Sequence, residues 1–244
     1  LENTIQLMQN HSSVRSFKNE ALPTEVKNQL LIAALAGSSS HFIQATSIIE
    51  VTDKKIKDEL AELSNSASYI KTTGACFVFV ADLYRETQIL TANNQSLASV
   101  ENMEALISGI VDTTIAGENM AVAAESLELG ICFIGGIRND LRRVSELLNL
   151  PKFTVPVFGM TVGIPTQHNG VKPRLPKANT VFQNQYNPST ATNLQNYNEV
   201  TANYYAKRNT NQQDTNWTQK MQDFFAEPRR QDVADFVRQQ GFRP

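Results

Sequence analysis

The stretch from Glu101 to Leu129 constrains this chain more than any other, because it has helical spacing throughout and almost no charge at its centre, where only Glu118 is ionisable between Thr113 and Ala124. Ile107, Ile110, Val111, Thr114, Met120 and Ala121 recur at approximately helical intervals. A helix that is apolar around most of its circumference needs cover on most of its surface. The chain must therefore wrap other elements around this helix or bury it against a second copy of itself. Gly109 and Gly117 each cost a helix interior about 1 kcal/mol relative to alanine, so one long buried helix is expected, with Gly117 as the place where it could break.

Elements able to cover it lie on both sides in the sequence. Ala75–Ala81 (ACFVFVA) is apolar almost throughout, as a central strand covered on both faces would be. Thr46–Val51 (TSIIEV) and Ile131–Ile134 also have strand character, as does Val155–Ile164 (VPVFGMTVGI), where Pro156 favours an edge or a strand start. Helices are expected over Glu2–Asn10, from Pro23 to Leu35, from Asp53 through Leu63, and over Leu141–Leu148. Beyond a loop-like segment from Pro165 to Pro188, Asn193–Arg208 reads as a helix with Leu194, Tyr197, Val200 and Tyr204 near one face, followed by Trp217–Phe225 and Arg229–Gln240. The expected fold class is α+β: one domain over residues 1–244, a mixed or antiparallel sheet surrounded by helices, and a helical excursion at about 190–225.

Several function classes lose support at this level. A formal charge of -2 gives no general reason to expect nucleic acid, and no run of 18 apolar residues suggests a membrane span. The opening LENTIQLMQNHSS has neither a basic region nor a long apolar core, so a cytoplasmic chain is expected. Cys76 and Cys132 are far apart and each lies in an apolar stretch, which suits small buried hydrophobes and leaves no CxxC dithiol to carry electrons. A redox function would need a cofactor. His11, His41 and His168 stand at no metal-motif spacing, so no metal site is expected. A GxGxxG fingerprint, a P-loop and a GxSxG elbow are all missing.

Three short segments could carry chemistry. His11-Ser12-Ser13-Val14-Arg15 gathers an imidazole, two hydroxyls and a guanidinium, enough donors for a phosphate, although a capping serine and a solvent-facing arginine would look the same. Lys172-Pro173-Arg174 holds two cations on a stiffened backbone, or is a solvated turn. Ile134-Gly135-Gly136 ends an apolar strand where backbone amides could approach a planar ligand, or is a simple turn. His41 and Phe42 read as pocket-wall residues.

These segments in this order resemble the FMN-dependent nitroreductase family, in particular its NADPH-dependent flavin reductases and major oxygen-insensitive nitroreductases. The resemblance runs over nearly the whole chain, through HSSVRSF, GSSSHFIQATS, GIVDTTIAGENMAVAAESLELG, GICFIGGIRND, VFGMTVGIP, VKPRLP, YYAKRNTNQQDTNWT and QQGF. It implies a homodimer with the long helices at the interface and a tightly bound, non-covalent FMN at each side of it. On that pattern Arg15 approaches the pyrimidine edge of the flavin, while His11, Ser13, Lys172 and Arg174 serve its phosphate or ribityl end. Ser39, Ile134, Gly135 and Gly136 are further cofactor contacts. Ser40, Phe42 and Arg229 border the substrate space, and Arg208 and Gln213 stand near the phosphate of NADPH. No side chain is implied as a catalytic acid or base, since hydride chemistry belongs to the flavin N5.

Departures from the pattern matter too. Ser12 stands where close relatives carry arginine, Ala67 where they carry glutamine, and Gln213 where a second phosphate-binding arginine is expected. The last weakens strict NADPH preference, because a neutral amide cannot pair with the 2′-phosphate as arginine can. NADPH is the expected donor, with NADH admissible. The acceptors would be small aromatics, nitroaromatics or quinones, reduced by a ping-pong mechanism. A flavin reductase supplying free reduced FMN and a non-catalytic flavin-binding protein are the alternatives.

Overall fold

Strand β2 (Ala75–Asp82) is buried along its whole length and feeds two cores by simple alternation. The computed structural model describes residues 3–208 and 211–243. These fall into two compact units, the first running to Asn169 and resuming at Arg230, the second spanning Gly170–Arg229.

In the first unit the order is α1 (Thr4–Gln9), α2 (Thr24–Leu35), β1 (Thr46–Glu50), α3 (Lys54–Leu63), α4 (Ala67–Ile70), β2, α5 (Tyr84–Ala92), α6 (Ala98–Glu101) and α7 (Met103–Ser126). Then come β3 (Gly130–Ile134), α8 (Leu141–Leu147) and β4 (Thr154–Gly163). The second unit contributes α9 (Lys177–Thr180), α10 (Pro188–Ala191), α11 (Gln195–Ala206) and α12 (Trp217–Phe225), and α13 (Val233–Gln239) returns to the first. The four strands pair antiparallel in the order β1-β2-β4-β3. Phe77 and Phe79 face a core with Leu30 of α2 and Met120 of α7. Cys76, Val78 and Val80 face the other, with Leu60 of α3, Ile70 of α4 and Val144 of α8. The sheet therefore lies between helical layers, and the fold class is α+β.

Local signals account for several boundaries. Asp53 caps α3 by accepting from the amides of Lys55 and Ile56, and Asn102 caps α7 through the Ala105 amide. The expected long helix is a single piece: α7 continues through Gly117 for 24 residues. A Cβ on Gly117 would lie 2.5 Å from Cζ of Phe158, so glycine serves the close approach of helix and sheet. β4 is a central strand, not an edge, despite Pro156. Its pairing with β3 runs only from Gly159 to Gly163, and its register with β2 shifts between Phe79 and Val80. Pro156 thus lies where no β3 residue pairs with it, next to the bulged Val157, whose carbonyl accepts from Arg138. The last helix begins at Val233 rather than Arg229.

In the second unit the buried face of α11 is Tyr197, Thr201 and Tyr205, while Val200 is half exposed. The sequence spacing groups Val200 with Leu194, Tyr197 and Tyr204 on one face, whereas the buried face takes only Tyr197 of these. Polar contacts lash α11 to α12: the Asn198 side-chain oxygen Oδ1 accepts from the Thr218 amide at 3.0 Å, and the Thr201 hydroxyl oxygen accepts from the Trp217 amide at 3.0 Å. An extra apolar neighbour at Val200 was therefore not required.

Candidate active site

The arm containing His11–Arg15 is held against the outer edge of β3. The Val14 amide donates to the Ile131 carbonyl at 2.8 Å, and Val14 fills the space that a side chain at Gly130 would need. Further along, the Lys18 amide donates to the Ile164 carbonyl and Phe17 bridges to Pro165. With Val14 and Phe17 turned inward, Arg15 is left exposed. The Asn169 side chain donates to the Ser13 carbonyl at 2.8 Å. His11 Nδ1 donates to Glu125 near the end of α7 at 2.6 Å, which orients the imidazole and fixes which nitrogen faces away. Glu125 was not singled out in the sequence, because nothing local links it to a histidine 114 residues away.

Arg15 lies beside Cys132 of β3. Burial raises the Cys132 thiol's pKa, while the Arg15 guanidinium and the Tyr69 hydroxyl oppose that rise. Burial also pushes the Cys76 thiol up to about 12. Neither is a ready nucleophile at neutral pH. Ile134 is buried, and the chain then turns through a 3-10 segment, Gly135–Asn139. A Cβ on Gly136 would sit 2.1 Å from the Ser64 carbonyl oxygen, so no larger residue fits without moving the α3 terminus. Around Gly135 only the end of the Arg138 side chain comes near, at 3.3 Å. Ala67 opens α4 next to the Tyr69–Ser66 hydroxyl pair, which lies 2.7 Å apart.

Ser39, Ser40 and Phe42 assemble at a different place, around Asp112 of α7. Asp112 is buried and accepts from the Ser39 hydroxyl at 2.6 Å, the Ser40 amide at 3.2 Å and the Ala45 amide at 3.1 Å. The Ser39 oxygen also accepts from the Gln44 amide. His41, Phe42 and Gln44 all have positive φ, a density of strained backbone that marks functional loops more often than neutral ones. Phe42 is 79% exposed. A cleft of about 460 Å³ opens beside Ser39, between Gln44, Arg85, Glu86 and Asp112. Arg85 is committed to Asp82, Ser47 and the carbonyls of Gln44 and Thr46. Asp112 and Glu125 are separated by about 20 Å of helix axis at 1.5 Å per residue. Within one chain, the Ser39–Phe42 loop therefore attaches near the middle of α7 and the His11 arm near its C-terminal end.

The remaining residues belong to the second unit. Lys172 and Arg174 line a cavity of about 310 Å³ with Tyr197, Tyr204, Tyr205 and Trp217. Arg208 stacks over Tyr204 with its guanidinium carbon 5.8 Å from the ring centroid, and Arg229 over Phe224 at 4.3 Å. Gln213 does not stand alone, since its side-chain oxygen accepts from Lys220 at 2.6 Å. Lys220 also lines the cavity and went unnoticed in the sequence, where it is one lysine in a polar helix. Among the described residues, no group of three or more His, Cys, Asp and Glu side chains could hold a metal, and no helix is long and apolar enough to cross a membrane.

Comparison with known proteins decides the lineage. Residues 8–164 match the profile of the Nitroreductase family, and residues 172–244 match that of the Nitroreductase family, C-terminal domain. The chain belongs to the nitroreductase family. Within this family it is 38% identical over 238 residues to a Cr(VI) reductase of Pseudomonas sp. (strain G-1), covering 97% of this chain and 98% of that protein. It is 37% identical over 246 residues to an FMN reductase (NADPH) of Bacillus subtilis (strain 168), covering 99% of each. The solved structure of B. megaterium NfrA1 superposes with a TM-score of 0.94 at 38% identity, covering 98% of both chains.

Proposed function

We propose that this nitroreductase is an NADPH-preferring, NADH-tolerant FMN oxidoreductase that reduces nitroaromatics or quinones as a cytoplasmic homodimer. The observation that carries the reading is the exposed Arg15, laid on β3 beside Cys132 and engaged in no ion pair among the described residues. A planar, electron-rich ring edge suits that cation, and the space around Gly135 suits close approach. The residues present therefore fit a flavin.

FMN, when bound, supplies two-electron hydride chemistry at N5. The chain's own work is to bind, orient and polarise. Arg15 would stabilise negative charge at the N1–O2 edge, and a backbone amide near Gly136 would donate toward N5. His11, oriented by Glu125, would join Ser13, Lys172 and Arg174 toward the phosphate and ribityl end. Phe42, already exposed, would stack on aromatic donors and acceptors in turn, giving ping-pong kinetics. Ser40 and Arg229 would border that space, and Arg208 would meet the nucleotide phosphate.

A second copy of the chain is favoured by the outer face of α7, where Met103, Ile107, Ile110 and Val111 are exposed at helical spacing, with Ile32 and Leu35 of α2 also exposed. Pairing such faces would bury apolar surface. It would also allow the Ser39–Phe42 loop of one copy to complete the site built on the His11 arm of the other. The resemblance to an FMN reductase (NADPH) favours a second reading, in which free FMN is the acceptor.

Anaerobic titration of the purified protein tests the proposal. NADPH is expected to bleach the flavin absorbance, and a nitroaromatic or quinone to restore it, with turnover on free FMN ranking the second reading. Holoprotein that neither NADPH nor NADH reduces would end the oxidoreductase assignment.

A further inference from the structure

In the first unit α8 packs on α13, and a cavity of about 480 Å³ opens there that none of the residues placed at the flavin lines. Two exposed cations, Arg142 and Lys152, stand at its mouth, and Gln239 at the end of α13 holds both. Arg142 Nε donates to the Gln239 side-chain oxygen at 2.9 Å, and Lys152 Nζ donates to the Gln239 carbonyl at 2.6 Å. These bonds leave the terminal nitrogens of the guanidinium and the other ammonium hydrogens to meet a ligand. Neither cation is in an ion pair among the described residues. Glu146 also lines the cavity, but its Oε2 accepts from Arg143 at 3.2 Å, so its charge is already opposed.

The floor carries a different signal. Ser145 of α8 and Gln240, which caps α13, are only 6% and 8% exposed. Neither the Ser145 hydroxyl oxygen nor the Gln240 side-chain oxygen has a hydrogen-bond partner among the described residues. Both positions are fixed by their backbones: the Ser145 carbonyl accepts from the Leu150 amide at 2.9 Å, and the Gln240 carbonyl from the Phe153 amide at 2.9 Å. A buried polar atom without a partner destabilises the fold. Two of them in the lining of one cavity, below two cations, fit a site whose ligand completes the bonding.

The donors and acceptors select the ligand. Arg142 and Lys152 call for a carboxylate or a phosphate. Gln240 Oε1 can only accept, so the ligand must also bring a donor, and Ser145 Oγ can donate or accept. A hydroxyl meets both needs, whereas an ammonium would be repelled by the two cations. The volume suits a small organic ion. We infer that the cavity between α8 and α13 is a second ligand site, which binds a small hydroxylated organic anion. Arg142 and Lys152 hold its carboxylate or phosphate, and Ser145 and Gln240 hold its hydroxyls.

Calorimetric titration of FMN-loaded protein at low salt tests this with D-glycerate and glycerol 3-phosphate as probes. At least one is expected to bind saturably at one site per chain, about tenfold or more tighter than propionate, which lacks the hydroxyls, and glycerol, which lacks the charge. The tighter of the two names the headgroup. Lys152→Gln should weaken that probe about tenfold and leave FMN retention within about twofold. Ser145→Ala and Gln240→Met should weaken it similarly while the ligand-free Tm stays level or rises, since each removes an unpaired buried oxygen. Four results would overturn the inference: no saturable binding of either probe, propionate or glycerol binding as well as the probes, full affinity in all three variants, or a lowered Tm in Ser145→Ala and Gln240→Met with affinity intact. The third would place the probe elsewhere, and the last would make both oxygens structural. Should a floor variant lose its native near-ultraviolet circular dichroism, Lys152→Gln and Arg142→Gln, at exposed positions, carry the comparison. NADPH bleaching of the flavin is scored separately and bears only on the oxidoreductase reading.

Discussion

Replacing Gly136 with alanine would force apart two backbones that meet at the proposed flavin site. The new Cβ would lie 2.1 Å from the Ser64 carbonyl oxygen and 2.9 Å from its carbon. An ordinary carbon–oxygen contact is about 3.3 Å, so the two segments must separate by about 1.2 Å. Neither side yields easily. Ser64 is buried, its amide bonded to the Leu60 carbonyl, and the neighbouring Leu63 carbonyl accepts from Asn139 at 3.2 Å. Ile137, one residue beyond Gly136, is only 1% exposed in the core beneath α3. With backbone on both sides the cost falls in the upper part of the overpacking range, about 2–3 kcal/mol, or roughly 5–10 °C in Tm for a chain of this size. Displacing the amide proposed to meet the flavin would weaken FMN roughly fivefold. Gly135→Ala is the control, since its Cβ meets only the flexible end of Arg138 at 3.3 Å. Thermal melts at fixed protein and FMN concentrations, with FMN fluorescence titration of apoprotein, measure both effects. A Gly136→Ala protein with wild-type Tm and FMN affinity, or a Gly135→Ala protein damaged more, would refute the reasoning.

The two glycines of α7 should respond with opposite signs. Gly117→Ala drives a Cβ to 2.5 Å from Phe158, whose ring is held by Phe79 and Phe133, and should lose about 1–2 kcal/mol net in denaturant melts. Gly109→Ala meets Ala81 at an ordinary 3.4 Å and should gain up to about 1 kcal/mol from helix propensity; equal effects would contradict the packing explanation. Glu86 offers a pH test. Burial, reinforced by Asp82 and Asp112 and opposed by a backbone hydrogen bond and Arg85, raises its pKa above the ordinary carboxylate value, and its Oε2 has no partner. The native state therefore prefers the protonated form, whose stabilisation is full below the ordinary value and is lost as pH rises through the raised one. Glu86→Gln should accordingly raise Tm at about pH 7.5 and lose that advantage near about pH 4; a gain independent of pH would reject the titration argument. Arg15→Gln, at an exposed residue in no ion pair among the described residues, should leave the apoprotein Tm unchanged and weaken FMN about tenfold, and unaltered flavin retention would remove Arg15 from the site.

The unbroken apolar run of ACFVFVA identifies β2 because a strand covered on both faces has no polar side, and Asp53 marks the start of α3 because its carboxylate satisfies two amides that the helix leaves open. The HSSVR, GG and KPR segments carry a family resemblance because their residue types recur in order, and that resemblance is confirmed at the level of the family. Where each of those side chains lies was a separate question. Pro156 looks like an edge residue until the β2 register shift and the short reach of β3 leave a central position that makes no demand on its missing amide hydrogen.

The long uncharged helix shows the same division. Its periodicity announces a helix needing cover, since hydrophobic spacing is a property of neighbours three and four residues apart. Whether Gly117 breaks it depends on Phe158, Glu125 matters because His11 is folded against it, and Gln213 is engaged because Lys220 reaches it from α12. Contacts of this kind join residues with no regular sequence interval between them. They arise only once the chain is packed, and they set the shape and charge of the site.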